Sequence, residues 1–422
     1  MARVPIPPPN VADLGLARAG LARIEWADSQ MPVLAAIRER FAVERPLDGV
    51  RIAVCLHVTA ETANLVRTLI AGGAQTGVCA ANPFSTQDDV AAALVTHHGA
   101  AVHARRGDGG PAYAAHLARL LEDAPDIAID DGGDLIAAAH VGPKPAAAAM
   151  LGATEETRTG LVRMRTMEAA GELRCPVLAV NEALTERIFN DRYGTGQSTL
   201  DGILRATDLL LAGRSFVVLG YGLAGKGVAQ RAQGAGASVI VCEVDPVRAL
   251  EARMDGFEVM PALAATDRGE VFVTVTGAPD VLRREHFERM RDGAILANAG
   301  HFDVEISLPD LAAAAIAPPV AVLPLVDQYD LGGGRRLNLL AKGRVVNLAA
   351  AAGHPAAVMD MSFAGQALAA EHLVRTGRGL APGVHPVPME IDREVARLKL
   401  GSLGIELDTL TEAQESYLRS FR

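Results

Sequence analysis

The sequence predicts an α/β protein with two lobes, each built on a doubly wound parallel sheet, followed by a short C-terminal helical segment. Three observations predict this architecture. A glycine-rich turn within 215–245 has the strand–turn–helix–strand pattern of a Rossmann-like unit. Strand-length apolar runs also alternate with helical patterns through 50–180. The charged amphipathic pattern of 391–400 predicts a helix near the C-terminus.

Three glycines define the turn between the apolar runs 215–220 and 238–245. Gly220 permits a tight turn out of the strand, and Gly222 lets a pyrophosphate approach the backbone. Gly225 lets the following helix pack close to the strand. The helix N-terminus then offers free N–H groups and the positive end of its dipole to phosphates. The pattern therefore predicts a dinucleotide site.

An acidic residue, Glu243, ends the second strand of this unit. A carboxylate at that place accepts hydrogen bonds from a ribose diol and repels a 2′-phosphate. The predicted cofactor is therefore NAD rather than NADP.

Composition narrows the class of protein. With 422 residues, 50% of them hydrophobic and 21% charged, the sequence predicts a globular chain of two or three domains. A net charge of −10 and the lack of a basic block argue against a nucleic-acid partner.

No apolar run has the length of a membrane span and no signal-peptide core is present, so we expect no membrane partner and a cytoplasmic location. The scattered cysteines predict buried free thiols and no metal site: Cys55, Cys79, Cys175 and Cys242.

The first half of the chain predicts helices over 11–41, broken near Pro32, and strands at 50–57, 75–81, 126–130 and 175–180. Asp131 follows one of these strands on a glycine turn. Open α/β sheets bind ligands at the carboxyl ends of their strands. Asp131 is therefore a candidate site residue.

The second half predicts a helix over 181–211 with a polar break at 193–198, later strands at 271–276, 294–298 and 344–347, and a helix over 359–375. These elements suggest three units. Residues 1–189, completed by 353–385, would form a substrate-binding domain, and 190–352 an NAD-binding Rossmann domain. Residues 386–422 would form a C-terminal oligomerisation segment.

Several short motifs follow one another along the chain. They are His-x-Thr-x-Glu-Thr-Ala at 57–63, Asn-x-x-Ser-Thr-Gln-Asp at 82–88, Asp-Asp-Gly-Gly-Asp at 130–134, Glu-Glu-Thr at 155–157, the glycine turn at 220–225, Gly-His-Phe-Asp-Val-Glu at 300–305 and Gly-His-Pro at 353–355. Their kind and order resemble the adenosylhomocysteinase (S-adenosylhomocysteine hydrolase) family. Tyr-Gly-Thr-Gly-Gln-Ser at 193–198 and the short C-terminus resemble its archaeal-like branch.

The resemblance implies a reaction without net redox change. Tightly held NAD oxidises the 3′-hydroxyl of an adenine nucleoside, and the resulting ketone acidifies the C4′ hydrogen. Loss of that proton expels the 5′ substituent, water adds, and the ketone is reduced again. The family also implies a homo-oligomer, a tetramer or a dimer.

The resemblance also implies residue roles. Asp131 would be the acid/base near C4′ and C5′, with His57 and His301 around the leaving group. Glu156 and Asn181 would contact the ribose hydroxyls, and Thr59 and Glu61 the adenine. His354 would lie in the substrate cleft near the nicotinamide amide. The residues implied to hold NAD are Gly220, Gly222, Gly225, Thr157, Thr159, Glu243, Thr276, Asn298 and Asn347.

The chain departs from the family's pattern in two regions. The family has a lysine where this chain has Glu186, and an Asp-Asn pair where it has Asn190 and Asp191. An ammonium–carboxylate pair is thereby replaced by a carboxylate–amide pair, and Glu186 becomes a candidate base for the 3′-hydroxyl. Arg158 interrupts a run of threonines, and Arg248 replaces an asparagine near the ribose of NAD.

These departures leave three hypotheses open. The first is hydrolysis of S-adenosylhomocysteine to adenosine and homocysteine. The second is a diverged 5′-dehydratase of an adenine nucleoside in nucleoside natural-product biosynthesis, with a 4′,5′-unsaturated product. The third is a catalytically inactive NAD-binding regulatory paralogue.

Overall fold

The computed structural model describes residues 9–141 and 146–420. Its strands form one sheet of seven strands and one of eight. The strands are β1 (Arg51–Leu56), β2 (Gln75–Ala80), β3 (Ala101–His103), β4 (Ile127–Asp130), β5 (Gly152–Glu155), β6 (Pro176–Ala179), β7 (Ser215–Leu219), β8 (Ser238–Cys242), β9 (Glu258–Val259), β10 (Val271–Thr274), β11 (Ala294–Asn298), β12 (Val320–Leu323), β13 (Val326–Asp330), β14 (Arg336–Leu340) and β15 (Gly383–Pro386).

Helices cover these sheets. They are α1 (Ala17–Asp28), α2 (Pro32–Glu44), α3 (Ala60–Ala71), α4 (Asp88–His98), α5 (Gly110–Glu122), α6 (Asp134–His140), α7 (Arg158–Ala169), α8 (Leu184–Glu186), α9 (Thr195–Thr207), α10 (Leu223–Gly234), α11 (Pro246–Met254), α12 (Ala262–Ala265), α13 (Arg284–Phe287), α14 (Leu308–Ala314), α15 (Val346–Ala349), α16 (Ala356–Thr376), α17 (Met389–Ser402) and α18 (Glu412–Ser420). A π-helix, Arg187–Gly194, joins α8 to α9. Within the described residues, no helix combines the length and apolarity needed to cross a membrane.

The first sheet is parallel throughout, in the order β15-β6-β5-β4-β1-β2-β3. Chain order runs in opposite directions on the two sides of β1, which lies between β2 and β4. The crossover helices leave a crevice at such a switch point, outside the carboxyl ends of the strands. Residues that follow β1 and β4 therefore face one crevice.

The second sheet has the order β12-β13-β14-β11-β10-β7-β8-β9. The strands from β14 to β9 run parallel, while β13 and β12 extend the edge as antiparallel strands. Its switch point lies between β7 and β10, where the glycine turn follows β7. The prediction of two Rossmann-like α/β lobes with a C-terminal helical segment is confirmed.

Helices pack on both faces of each sheet, so apolar side chains of the strands are buried on both faces. The central strands are accordingly buried along nearly their whole length. Burial of this kind makes the sheets rigid supports for the loops at their carboxyl ends.

After the second sheet, α16 returns to the first one. The buried carboxylate of Asp360 on α16 accepts hydrogen bonds from the main-chain N–H groups of Val33 (3.3 Å) and Leu34 (2.8 Å), at the start of α2. Lys399 of α17 lies 2.9 Å from the same carboxylate. β15 then pairs with β6 at the edge of the first sheet.

The strand predicted at 344–347 is wrong. Val346 begins the short helix α15, and Val345 makes only an isolated bridge to Asn298. The place beside β11 is taken by β14, whose Leu337 and Leu339 side chains are buried. The apolar side chain of Val346 is buried all the same, so the valine pair signals core packing and not a strand.

The polar break predicted at 193–198 is also wrong, since the chain stays helical from the π-helix into α9. The glycines there permit close packing rather than a turn. A Cβ on Gly196 would lie 2.6 Å from the main-chain carbon of Gly227 in α10. A Cβ on Gly194 would lie 3.1 Å from the ring of His354.

Candidate active site

His57 and Asp131 lie side by side at the switch point of the first sheet. His57 follows β1 and Asp131 follows β4, and these strands pair with Cys55 opposite Asp130. Nε2 of His57 lies 3.5 Å from Oδ2 of Asp131. The structure thus brings together two side chains that the sequence places in separate motifs.

Ser85 fixes the orientation of the His57 ring. Its hydroxyl donates a 2.8 Å hydrogen bond to the main-chain oxygen of Asn82, and its oxygen lies 2.5 Å from Nδ1 of His57. Because the serine proton is already committed, Nδ1 carries the ring proton and donates it to Ser85. Nε2 is then the ring atom that faces Asp131.

Buried carboxyl groups support the loop that carries Asp131. Asp130 accepts hydrogen bonds from the main-chain N–H groups of Asp131 (3.0 Å) and Ile136 (2.8 Å). Glu155 accepts one from the N–H of Gly132 at 2.9 Å. Burial raises the pKa of Asp130 to about 7, although these N–H groups oppose the shift. The carboxyl groups of Asp130 and Glu155 therefore fix the main chain of this loop, a role that the sequence did not predict for them.

His301 comes from the other lobe, three residues beyond Asn298, the last residue of β11. Burial lowers its pKa, the negative charge of Asp131 opposes that shift, and the positive charge of His57 adds to it. These interactions place His301 in one electrostatic cluster with the His57–Asp131 pair. The ring of Phe302 meets the His301 ring edge-on, with centroids 4.7 Å apart.

A second cluster consists of buried carboxyl groups. Glu156 accepts hydrogen bonds from the hydroxyl of Ser362 and the amide of Gln366, both on α16. Burial raises its pKa to about 7, and the charges of Asp131 and Asp191 add to the shift. Glu156 therefore links this cluster to the His57–Asp131 pair.

Glu186 belongs to the same cluster and is 2% exposed. The side-chain amide of Asn190, one turn later, donates a hydrogen bond to its Oε1. Burial raises the pKa of Glu186 well above its ordinary value, and the negative charges of Glu156 and Asp191 raise it further. The departures Glu186, Asn190 and Asp191 thus share one site.

The π-helix Arg187–Gly194 carries Asn190 and Asp191 into this cluster. π-Helical turns are rare and frequently occur at functional sites. Burial raises the pKa of Asp191 to about 6, while Arg187 and Arg158 lower it. Arg158 therefore acts on the cluster electrostatically.

His354 lies between the two lobes. Its Nε2 is 3.3 Å from the hydroxyl oxygen of Thr195, at the start of α9. Burial and the positive charge of His57 lower the pKa of His354 to about 4, so its ring is neutral at physiological pH.

Three predicted substrate contacts lie at the same edge of the first sheet. Thr59 precedes α3, and Glu61 lies in the first turn of that helix. Asn181 lies in the turn Val180–Glu182 that follows β6. All three side chains are partly buried, as expected for groups that line a crevice.

The glycine turn has the conformation that the sequence predicts. Gly220 has a φ of 106°, a backbone conformation that favours glycine. A Cβ on Gly225 would lie 2.0 Å from the main-chain oxygen of Gly220. Gly222 caps α10, so the free N–H groups of this helix point toward the turn.

Glu243 and Arg248 lie beside this turn. The Glu243 carboxylate accepts hydrogen bonds from the main-chain N–H groups of Tyr221 (2.7 Å), Val244 (2.6 Å) and Asp245 (3.0 Å). A Cβ on Gly222 would lie 3.9 Å from Nη1 of Arg248. Glu243 therefore shapes the turn, and one lone pair of its Oε2 remains free to accept from a ribose hydroxyl, since Oε1 already accepts two N–H groups.

Two other predicted cofactor residues lie at the carboxyl ends of strands in the second sheet: Thr276 follows β10, and Asn298 is the last residue of β11. Thr276 donates through its N–H and hydroxyl to Glu305, both at 2.9 Å. Asn298 is buried and donates to the main-chain oxygens of Phe302 (2.8 Å) and Gly343 (3.0 Å). These bonds order the loops at the switch point of this sheet.

Asn347 offers an unused acceptor. Its Nδ2 donates to the hydroxyl of Ser198 at 3.1 Å, while its buried Oδ1 has no hydrogen-bond partner among the residues that the structure describes. A carboxamide N–H₂, such as that of nicotinamide, fits such an acceptor. The glycine cradle and this orphaned oxygen together fit a bound NAD.

Thr157 and Thr159 lie on the first lobe, at the start of α7. Thr157 donates its hydroxyl to Glu155 at 2.8 Å and accepts from the N–H of Gly160 at 3.3 Å. The hydroxyl of Thr159 lies 3.4 Å from that of Thr157. Both threonines therefore lie beside the loop that carries Asp131, since Glu155 also accepts from the N–H of Gly132.

The sequence analysis missed Ser85, Glu305, Ser362 and Gln366. A signal existed for Ser85 and Glu305, because both lie inside the recognised motifs 82–88 and 300–305. Ser362 and Gln366 lie on one face of α16, where a polar pair four residues apart interrupts a largely buried helix.

This fold and this site define a class of protein: a two-lobed, NAD-binding enzyme with a histidine–aspartate pair in its crevice. Comparisons with known proteins agree. Residues 9–151 match the model of the S-adenosyl-L-homocysteine hydrolase family, and residues 191–353 match that of its NAD-binding domain. The chain belongs to this family, which confirms the resemblance and NAD as the cofactor.

Curated relatives match over nearly the whole chain. An adenosylhomocysteinase of Aquifex aeolicus is 58% identical over 412 residues, with 98% of each chain covered. An S-inosyl-L-homocysteine hydrolase of Methanopyrus kandleri is 51% identical, with 97% of each chain covered. Among solved structures, a dipicolinate synthase chain of Bacillus halodurans has a TM-score of 0.50 at 12% identity, covering 79% of this chain and 99% of that one, and it shows similarity of fold alone.

Proposed function

We propose that this protein hydrolyses S-adenosyl-L-homocysteine to adenosine and homocysteine. The 3′-hydroxyl is oxidised, the C4′ proton is removed, the 5′ thiol is eliminated, water adds, and the ketone is reduced. When bound, NAD accepts and later returns the electrons and hydrogen of the oxidation. The 3.5 Å contact of His57 with Asp131, inside one cluster with His301, is the observation that carries this proposal.

Each step has a candidate residue. Asp131 removes the C4′ proton, and Nε2 of His57 exchanges protons with Asp131 at the 5′ side. His301, whose pKa is lowered, is neutral at physiological pH and can accept a proton from the attacking water. Glu156 and Asn181 hold the ribose hydroxyls. Thr59, Glu61 and His354 complete the contacts to the nucleoside.

The cofactor would be held from both lobes. The helix that follows Gly222 would receive the pyrophosphate, and Glu243 the ribose diol. Asn347 would accept a hydrogen bond from the carboxamide through its unpaired Oδ1. The remaining candidates are Thr157, Thr159, Arg248, Thr276 and Asn298.

Product analysis tests this proposal. The purified NAD-loaded protein is incubated with S-adenosyl-L-homocysteine, S-inosyl-L-homocysteine, adenosine and other 5′-substituted adenine nucleosides, and products are identified by mass spectrometry. We expect adenosine and homocysteine at a rate on the order of 1–10 s⁻¹. Bound NAD without any product would contradict the proposal and support the inactive paralogue.

One observation favours a second candidate, the 5′-dehydratase. Glu186 and Asn190 place a buried carboxyl–amide pair beside Glu156, and no described cation forms an ion pair with Glu186. Such an enzyme would release water from the 5′ position and leave a 4′,5′-unsaturated nucleoside. The charge-restoring variant Glu186→Lys/Asn190→Asp distinguishes the two functions. If it raises hydrolysis of S-adenosyl-L-homocysteine from a low parental level, the parent has specialised; ordinary parental hydrolysis excludes the dehydratase.

A homo-oligomer, tetramer or dimer, in the cytoplasm completes the proposal. Residues 401–420 expose apolar side chains such as Leu403, Leu407 and Leu410, a surface that a second copy would cover. The four cysteines are buried and free, which agrees with a reducing compartment. Light scattering on the intact chain and on a chain ending at Ser402 tests the assembly. A monomer mass for the intact chain would contradict it.

A further inference from the structure

The helical run that carries Glu186 begins without a side-chain cap of its own. α8, the π-helix and α9 follow one another without a break and form one run over 184–207. The residue before the run is Ala183, whose methyl group cannot accept a hydrogen bond. The first N–H groups of a helix have no acceptor within the helix. The N–H groups of Leu184 and Thr185 therefore need an acceptor from another part of the chain.

Asp392 of α17 supplies this acceptor. Its Oδ2 accepts the N–H of Leu184 at 2.7 Å. Its Oδ1 accepts the N–H of Thr185 at 2.9 Å and the hydroxyl of the same residue at 2.5 Å. Both Asp392 and Thr185 are buried, so water competes little for these bonds. A carboxylate at a helix N-terminus is also favoured by the positive end of the helix dipole. Asp392 thus caps a helical run that begins about 200 residues earlier in the chain.

α17 is itself fixed at three points on one face. Asp392, Val395 and Lys399 follow the spacing i, i+3 and i+7, which places their side chains on the same side of a helix. Val395 is fully buried in the core of the first lobe. Nζ of Lys399 lies 2.9 Å from the buried carboxylate of Asp360 on α16. α17 therefore holds the Asp392 carboxylate firmly against the start of α8.

The start of α8 determines where the unusual residues of the site lie. Glu186 follows Thr185 directly, and the amide of Asn190 donates a hydrogen bond to Glu186 one turn later. Asp191 lies on the same run. Because these side chains share one helical run, a shift at its first turn moves all of them relative to Glu156, which follows β5.

We propose that Asp392 is a positioning residue for the oxidation step of the reaction. The inference rests on the proposed function, in which the cluster around Glu186 lies at the ribose hydroxyls. Displacement of a catalytic group by about 1 Å can cost 10²-fold in rate. The steps carried by His57 and Asp131 do not depend on Asp392, because these residues follow β1 and β4 while the three hydrogen bonds of Asp392 go to α8.

Hydrogen–deuterium exchange tests the contact without any turnover. Asp392→Asn keeps the shape of the side chain, but its N–H₂ meets an N–H donor where the carboxylate accepted one. Exchange over 184–186, measured by mass spectrometry, should be faster than in the parent by roughly tenfold or more. Asp126→Asn is the matched control. Asp126 accepts the N–H of Arg51 at 2.9 Å and precedes β4, at the end of the sheet opposite to the crevice, so exchange over 184–186 should stay unchanged.

Kinetics then tests the positioning role. With S-adenosyl-L-homocysteine, Asp392→Asn should slow cofactor reduction, seen as the NADH absorbance transient, by roughly 10²-fold, with KM close to the parental value. A 3′-keto nucleoside bypasses the oxidation, and its C4′ exchange with solvent should stay close to the parental rate. Asp126→Asn should preserve both rates. Equal slowing of both steps in Asp392→Asn would mean a merely structural role and overturn the inference, as would cofactor reduction at the parental rate.

Thr185→Val provides the decision if Asp392→Asn does not fold. It removes the hydroxyl donor and keeps the size of the side chain and both main-chain bonds. Cofactor reduction should slow by less than in Asp392→Asn, and Thr185→Ser should restore it; a parental rate in Thr185→Val would then overturn the inference.

The proposed function is tested separately from this contact. A parent whose cofactor is reduced by no nucleoside would contradict the proposed function. In that case hydrogen exchange decides alone, and unchanged exchange over 184–186 in Asp392→Asn overturns the inference.

Discussion

The main-chain oxygen of Arg192 lies against Gly227 so closely that a Cβ at residue 227 would be 1.8 Å away. Arg192 belongs to the π-helix that carries Asn190 and Asp191, and Gly227 belongs to α10, the helix that follows the glycine turn. This contact fastens the carboxylate cluster to the cofactor-binding turn. Any side chain at residue 227 must separate the two helices.

The variant Gly227→Ala should destabilise the protein and weaken NAD binding. Forcing a methyl group into a packed contact costs about 1–3 kcal/mol. Gly234→Ala is the matched control, since it lies in the same helix and a Cβ there would meet no atom of the described residues within 4 Å. The control should be neutral or stabilising by about 0.5–1 kcal/mol. Urea denaturation and calorimetric NAD titration measure both effects, and equal behaviour of the two variants would contradict the packing argument.

The variant Asp131→Asn should separate oxidation from elimination. The amide keeps the shape of the side chain but cannot remove the C4′ proton. We expect the NADH absorbance transient to persist while exchange of the C4′ hydrogen with solvent falls by roughly 10²–10⁴-fold. Mass spectrometry of substrate recovered from D₂O measures the exchange. Exchange at the parental rate would assign the C4′ proton to another base, with His57 as the nearest alternative.

The protein should bind NAD more tightly than NADP by roughly tenfold or more, which is about 1.4 kcal/mol. Glu243 lies beside the glycine turn and repels a 2′-phosphate. Calorimetry on NAD-free protein measures the ratio. Glu243→Gln should lower the ratio of NAD affinity to NADP affinity, whereas Arg248→Ala should keep or raise this ratio. Equal or tighter binding of NADP by the parent would show that Arg248 outweighs Glu243.

Burial of Glu156 should make stability depend on pH. Its pKa is raised to about 7 in the folded protein and is ordinary in the unfolded chain, so folding takes up a proton between these values. The stabilisation is complete below the unfolded pKa and is lost as pH rises to about 7, with a magnitude on the order of 3 kcal/mol. Urea denaturation at several pH values across this range should show that the free energy of unfolding falls less with rising pH in Glu156→Gln than in the parent. Identical pH slopes would mean that Glu156 is ionised in the folded protein throughout.

Local sequence patterns were sufficient to predict the cofactor turn and the site residues at the ends of the strands. The glycine spacing and Glu243 depend on contacts within one βαβ unit, so about thirty residues of sequence contain the whole argument. His57 and Asp131 follow apolar runs of strand length, and parallel strands bring such ends to one edge. The existence of a site at that edge could therefore be predicted.

Local sequence patterns could not predict the packing of residues that are distant in sequence. Gly194 and Gly196 have the composition of a turn, yet both are helical. Glycine is required at these positions because α10 and His354 approach too closely for a side chain. The predicted strand at 344–347 was displaced by β14, whose place is decided by pairing with β11. In both cases the deciding neighbour is distant in sequence.

By itself, the sequence determined the two-lobed α/β class, the dinucleotide turn, the family and the unusual residues Glu186, Asn190 and Asp191. Only the tertiary structure decided that these residues share a buried cluster with Glu156 and that Ser362 and Gln366 of α16 donate hydrogen bonds to Glu156. The physical reason is that protonation depends on burial and on neighbouring charges. Those follow from how α16 returns across the first sheet, which no local pattern records.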